Sequence, residues 1–111
     1  MFQVESQGAV DVVNLQGPLV ADSVADLEAT LESSLSGGQP MVVLNLTGVP
    51  LMDSAGLDAL LDVRDRITHL GGTVKISGLT PLCEEVLRIT GVGSHFECHS
   101  GTKAAVGSFV Q

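Results

Sequence analysis

Apolar residues along the chain fall into short runs that predict five β-strands. Near the start, Phe2 to Glu5 and Val10 to Leu15 have the pattern of two strands, and Ser6-Gln7-Gly8 between them predicts a hairpin turn. Met41 to Leu46 is a nearly continuous apolar run, which is typical of a parallel strand buried on both faces. The remaining predicted strands are Thr73 to Ser77 and, with a weaker pattern, His95 to Cys98.

Helices are predicted between the strands, where apolar residues recur at steps of three and four. The first helix begins at Asp22 or Ser23, both of which are capping residue types, and ends at Gly37-Gly38. A short fourth helix runs from about Thr102 to Val110. The apolar stripe of the first helix consists of Val24, Leu27, Leu31 and Leu35.

The second and third helices have clear start and stop residues. The second begins at Asp53 or Ser54 and ends at Gly71-Gly72. The third begins at Thr80-Pro81, where proline costs no hydrogen bond, and ends at Gly91. The apolar positions of the second helix are Leu57, Leu60, Leu61, Val63, Ile67 and Leu70. The predicted buried stripe of the third is Leu82, Val86 and Leu87.

The predicted element order is ββαβαβαβα within a single domain that spans residues 1–111. Strands that alternate with helices need crossover connections, so most of the sheet is expected to be parallel. The opening hairpin adds one antiparallel pair. We therefore expect an α/β fold with a mixed, mostly parallel sheet of four to five strands and about four helices.

Composition narrows the possible partners. The chain has 13 acidic and 5 basic residues, a net charge of −8, and no Tyr or Trp. Nucleic acids and anionic membranes are therefore poor partners, because phosphate contacts need basic residues and base stacking needs aromatic ones. The sequence contains no apolar run long enough to span a bilayer and no export signal, which predicts a cytoplasmic protein. Cys83, expected to be half-buried, and Cys98 are predicted to be free thiols.

The segment from Leu46 to Leu57 is the most informative one for function. A buried strand leads through a short loop to a helix start at Asp53 and Ser54. Unpaired N–H groups and the helix dipole at such a start favour an oxyanion or phosphate, and a hydroxyl there is accessible to another protein. Asp and Ser are also ordinary capping residues, so the pattern alone leaves a purely structural role open.

The run from Met52 to Leu57 resembles the Asp-Ser-(Ser/Thr/Ala)-Gly-Leu signature of STAS domains, in particular of bacterial anti-sigma factor antagonists. The resemblance covers almost the whole chain, because several spaced elements match in order. These elements are Leu15 to Leu19 after the second strand, His69 to Val74, Gly78 to Pro81 and Gly91-Val92.

This resemblance implies a non-enzymatic switch protein without a cofactor. In the family, the Ser after the Asp is phosphorylated by the anti-sigma factor, which is a serine kinase, and a metal-dependent phosphatase removes the phosphate. By position the acceptor is Ser54, and Asp53 is its acidic neighbour. The unphosphorylated protein is expected to bind the anti-sigma factor and so release the sigma factor. The implied partner-binding residues are Asp22, Asp53, Ser54, Ala55, Gly56 and Asp58.

Two positions depart from the family pattern. Gly17-Pro18-Leu19-Val20 lacks an acid expected near the binding surface, unless Asp22 replaces it, and this bears on the identity of the partner. Lys103 stands where a Glu often follows the last helix start, which bears on stability only. From its motif position, we expect Gly56→Leu to change stability by at most about 1 kcal/mol and to be phosphorylated and bound poorly.

Other functions have weaker support in the sequence. A STAS domain could instead be a scaffold subunit that binds the ATPase of a membrane lipid transporter, or a nucleotide-binding module. The glycine pairs lack the spacing of phosphate loops, and the Gly-x-Ser-x-Gly motif of hydrolases is missing. His95, Cys98 and His99 have no second ligand cluster, so no metal site is predicted.

Overall fold

A five-stranded sheet forms the centre of the protein in a computed structural model that describes residues 2–36 and 38–110. Neighbouring strands follow the chain order, and the first pair is antiparallel while the other three pairs are parallel. The predicted α/β fold with a mixed, mostly parallel sheet is confirmed. The strands are β1 (Gln3–Gln7), β2 (Val10–Gln16), β3 (Met41–Gly48), β4 (Thr73–Ser77) and β5 (Glu97–His99).

Four α-helices connect or follow these strands in the described residues. The helices are α1 (Val24–Leu35), α2 (Ser54–His69), α3 (Pro81–Thr90) and α4 (Thr102–Gly107). Short 3₁₀ segments lie at Ala21–Ser23, Val92–His95 and Ser108–Val110. Helices α1, α2 and α3 pack on one face of the sheet, and α4 packs on the other. Gly37, which belongs to the predicted stop of the first helix, lies outside the described residues.

Strand β3 is buried on both faces, as its apolar run predicts. Val42 and Leu44 belong to the main core under α1, α2 and α3. Val43, between them, points to the opposite face and packs in a smaller cluster with Val12 and Ala105 of α4. The strand that leads to the candidate site is therefore held from both sides.

The first hairpin turn lies two residues later than predicted. β1 extends to Gln7, which pairs with Val10, so the turn consists of Gly8 and Ala9. Gly8 has a φ of 63°, which glycine adopts without steric cost. The predicted turn at Ser6-Gln7-Gly8 is wrong because the polar Ser6 continues the ladder and pairs with Asp11.

The last strand also begins later than predicted. The 3₁₀ segment Val92–His95 comes first, and it is followed by Phe96, which is buried in the main core. β5 then pairs with β4 through Glu97, Cys98 and His99. Burial of the large Phe96 ring sets this register, and a strand over His95 to Cys98 is wrong by one to two residues.

Helix α3 is rotated about its axis relative to the prediction. Its buried side carries Cys83 and Leu87, whereas Leu82 is 54% exposed. The Thr80 hydroxyl and the Cys83 thiol both donate to the carbonyl oxygen of Val49, at 3.0 and 3.3 Å. These two bonds set the rotation of the helix, so the expectations that Leu82 is buried and that Cys83 is half-buried are wrong.

A close backbone contact positions the start of α2. Leu19 pairs with the loop after β3: its N–H donates to the carbonyl of Leu51, and its own carbonyl accepts from the N–H of Asp53. A Cβ atom at Gly56 would overlap that Leu19 carbonyl. Because both sides of the contact are backbone, neither can move aside, and only glycine fits at position 56.

A buried lysine ties the end of the chain to the sheet. Lys75 on β4 is 8% exposed, and its Nζ lies 2.9 Å from Oε2 of Glu97. The same Nζ donates to the Ser108 hydroxyl at 2.6 Å and lies 4.4 Å from the centre of the Phe109 ring. The hydrogen bond from Lys75, followed by that from His99, lowers the pKa of Glu97 from 4.5 to about 2.

Substitution of Gly56 by alanine should destabilise the protein. The added methyl group meets a fixed carbonyl, and such overpacking typically costs about 1–3 kcal/mol. Urea denaturation of Gly56→Ala measures this loss. Gly107→Ala is the control, because a methyl group at position 107 meets open space. Alanine has a higher helix propensity than glycine, so this variant should be as stable as the wild type or more stable by up to about 1 kcal/mol. Equal stability of the two variants would contradict the close contact. The same contact makes the expected stability change of at most about 1 kcal/mol for Gly56→Leu wrong, whereas the poor phosphorylation and binding expected of that variant stay a prediction.

The lowered pKa of Glu97 predicts a loss of stability in acid. The folded state favours the ionised form of Glu97, so the Glu97 carboxylate contributes to the free energy of unfolding. This contribution is fully present above the ordinary pKa of 4.5 and is lost as the pH falls towards 2. We expect the urea midpoint of Glu97→Gln to fall less between pH 4.5 and pH 2 than that of the wild type. Lys75→Met should also reduce the fall of the urea midpoint between pH 4.5 and pH 2, since it removes the main cause of the lowered Glu97 pKa. Parallel curves for wild type and both variants would refute this assignment.

Candidate functional site

Asp53 is the residue that caps helix α2; the sequence had left Asp53 and Ser54 as alternatives. Its backbone is extended, with φ −106° and ψ −173°, and its Oδ1 accepts a hydrogen bond from the N–H of Gly56 at 2.9 Å. This is the geometry of an N-cap residue. Ser54 is consequently the first residue inside the helix, and capping does not use its side chain.

The second carboxylate oxygen of Asp53 reaches across to the segment before α1. Oδ2 accepts a hydrogen bond from the N–H of Ala21 at 3.4 Å. One side chain therefore joins the 3₁₀ segment Ala21–Ser23 to the first turn of α2. Asp22, an exposed residue of that segment, lies next to Ala21 and is thereby brought to the same side of the protein as Ser54.

Ser54 is exposed, and its hydroxyl forms no hydrogen bond with any residue that the structure describes. It lies at the N-terminus of a 16-residue helix, where free N–H groups and the positive end of the dipole favour negative charge. A phosphate on this hydroxyl would therefore be compatible with the fold. The chemistry that this position can support is acceptance of a phosphoryl group.

The other predicted partner-binding residues differ in accessibility. Asp58 is exposed and lies one turn below Ser54, and Ala55 is half-buried. Gly56 is buried against Leu19. Its place in the site is to allow the close backbone contact that holds the helix start.

Two supporting positions were missed by the motif reading. Leu19 forms an isolated bridge with Met52 and holds the loop before Asp53, and Ala21 gives its N–H to Asp53. Both are apolar residues whose part in the site depends on backbone atoms. Residue chemistry contains no signal for such a role, although the family resemblance placed Gly17 to Val20 near the binding surface.

The cysteine and histidine residues show no sign of a second site. No group of three or more His, Cys, Asp or Glu side chains in residues 2–36 and 38–110 could hold a metal ion. Cys83 and Cys98 are free cysteines. Burial raises the pKa of the Cys98 thiol, and the charges of Glu84 and Glu97 raise it further, which disfavours the reactive thiolate.

None of the helices in the described part of the chain combines the length and the apolar character needed to cross a bilayer.

Comparisons with known proteins identify relatives that match most of the chain. A family model described as the STAS domain matches residues 1–105. The chain is 32% identical over 95 residues to a protein of Bordetella bronchiseptica named as the anti-sigma factor antagonist BtrV. This match covers 86% of the chain and 82% of the relative.

Solved structures with the same fold include two bacterial proteins. TM1081 of Thermotoga maritima, named as an anti-sigma factor antagonist, superposes with a TM-score of 0.91 at 17% identity, over 99% of this chain and 95% of that one. The Bacillus cell fate determinant SpoIIAA, in its phosphorylated form, superposes with a TM-score of 0.73 at 20% identity, over 98% of this chain and 99% of that one. At these identities the structures show a shared fold. The family model and the identity to BtrV show that the chain belongs to the STAS domain family, in the group of anti-sigma factor antagonists.

Proposed function

We propose that this protein is a phosphorylation-switched antagonist of an anti-sigma factor that is itself a serine kinase. The unmodified surface around Ser54 binds the kinase, which releases the sigma factor, and transfer of a phosphoryl group to Ser54 ends the binding. One observation supports this most directly: the Ser54 hydroxyl is exposed and unbonded, directly after the residue that caps α2. The relationship to BtrV and the phosphorylated form of SpoIIAA support the same role.

The division of work between Asp53 and Ser54 makes such a switch possible. Because Asp53 caps the helix, the Ser54 hydroxyl can be modified without loss of a structural hydrogen bond. The helix dipole favours the added phosphate. Phosphorylation is therefore expected to change the surface and leave the fold intact.

The phosphate ends binding through short-range effects. It adds about −1.5 to −2 charges and three oxygens that must be desolvated in any tight contact. It also lies near the carboxylates of Asp53 and Asp58, so a partner surface that fits a neutral hydroxyl no longer fits. Misplaced charge at an interface costs several kcal/mol, which is enough to separate the partners.

In this role the chain is a binding partner and a phosphoryl acceptor, and the kinase supplies the catalysis. A metal-dependent serine phosphatase removes the phosphate and restores binding. Sigma factors act on RNA polymerase, so the proposed exchange of partners takes place in the cytoplasm.

Three Ser54 variants test the switch. Ser54→Ala should bind the kinase as the wild type does and should never be switched off, with a stability change of a few tenths of a kcal/mol because Asp53 is the cap. Ser54→Asp and Ser54→Glu should fold but bind about ten- to several-hundred-fold more weakly. Titration calorimetry against the purified kinase measures affinity, and intact mass after incubation with ATP measures phosphorylation.

Ser33→Asp is a matched control, because Ser33 is an exposed serine in the second half of α1. It adds the same charge as Ser54→Asp and should leave binding unchanged. Equal binding by wild type and all Ser54 variants, with no mass increase on the wild type, would overturn the switch. That result would favour a constitutive scaffold, such as one bound to the ATPase of a membrane transporter.

A further inference from the structure

A groove of about 410 Å³ runs between α1 and α2 and begins next to the candidate phosphorylation site. Ala55, the residue after Ser54, lines its upper end. Its floor is apolar and consists mainly of small side chains, and its rim is acidic. The floor includes Val24, Ala55 and Ala59, and the rim is formed by Glu28, Asp58 and Asp62.

The acidic rim is unbalanced within the protein. No Lys, Arg or His lines the groove, and Glu28, Asp58 and Asp62 form no ion pair within residues 2–36 and 38–110. Asp58 and Asp62 are four residues apart on one helix, a spacing at which like charges repel. The free protein therefore keeps an unfavourable cluster of negative charge beside Ser54.

Further along the same two helices the carboxylates are paired. Glu32 of α1 lies 3.8 Å from Arg66 of α2, and Asp65 lies 3.4 Å from Arg64. The unpaired charge is thus confined to the half of the α1–α2 surface that adjoins Ser54. This contrast within one helix pair indicates a surface suited to an external cation.

We propose that this groove docks a basic amphipathic helix of the anti-sigma factor kinase, with Lys or Arg side chains against the acidic rim and small apolar side chains on the alanine floor. The proposal rests on the function proposed above and adds Glu28 and Asp62 to its binding surface. Charge complementarity selects the occupant, because an anionic ligand such as a nucleotide would meet three carboxylates. The small floor residues let the backbone of a docked helix approach closely.

The groove and Ser54 then control different steps of binding. The rim charges act at long range, so they raise the rate of encounter and make it sensitive to salt. Ser54 acts only after contact, so its phosphorylation mainly raises the rate of dissociation. The acidic groove remains present in the phosphorylated protein, and the kinase is released because the close fit at Ser54 is lost.

Association kinetics test this division. The probe is the kinase that phosphorylates Ser54, purified from an extract of the organism that carries the gene, with binding to wild type and variants followed by surface plasmon resonance at 50 and 300 mM NaCl. Asp62→Lys and Glu28→Lys should each lower the association rate constant about tenfold at 50 mM NaCl and reduce its salt dependence. Asp62→Asn, a milder change, should show a smaller effect in the same direction.

Asp65→Lys is the matched control, because it makes the same charge change on the same helix outside the groove. It should lower the association rate constant clearly less than Asp62→Lys does, because Asp65 lies outside the groove and shares only the long-range part of the effect. Equal effects of Asp62→Lys and Asp65→Lys, or no effect of either groove variant, would overturn the groove assignment. The proposed switch would still be supported in that case, because the kinase phosphorylates Ser54. If no fraction of the extract phosphorylates wild-type Ser54, the proposed function fails, and the groove assignment fails with it.

Discussion

The backbone contact between Leu19 and the start of α2 is the constraint on which the candidate site depends. The carbonyl of Leu19 accepts the N–H of Asp53 and lies against Gly56, so the chain after β2 and the chain after β3 hold each other. This contact fixes where α2 begins and therefore where Ser54 is presented. A side chain at position 56 would push the two segments apart and displace the helix start.

The residue that caps α2, Asp53, is not the residue that is proposed to be phosphorylated, Ser54. The carboxylate of Asp53 serves both the N–H of Gly56 and the N–H of Ala21, and the neighbouring Ser54 hydroxyl forms no hydrogen bond in the described structure. The structural role and the proposed signalling role thus belong to adjacent residues. A protein arranged in this way can gain a phosphate on one residue while the other continues to hold the fold.

Charge is distributed to match this arrangement. On the far face of the sheet, Lys75 is buried and neutralised by Glu97, and it holds the last turn of the chain through Ser108. Beside Ser54, the carboxylates of the α1–α2 groove have no such partner in the described residues. Within α1 and α2, the carboxylates of the groove beside Ser54 are therefore unpaired in the described residues, whereas Glu32 and Asp65 further along are paired.

Local pattern was sufficient to predict the element types, the mixed sheet and the site segment. The apolar run of β3 indicated burial on both faces, and Thr80-Pro81 and Gly91 correctly marked the ends of α3, because each of these signals acts within a few residues. The sequence also located the candidate site at Ser54, one residue after Asp53. What stayed open was which of the two residues caps the helix, since both residue types perform that task.

The tertiary structure decided the features that depend on distant residues. Helix α3 turned Leu82 to solvent because Thr80 and Cys83 bond to Val49, more than 30 residues earlier. Gly56 is required because of Leu19, and the acidic groove exists because α1 and α2 lie side by side. Hydrophobic periodicity gives the spacing of a buried stripe, but the rotation of a helix and the contacts of its backbone follow from what the rest of the chain places against it.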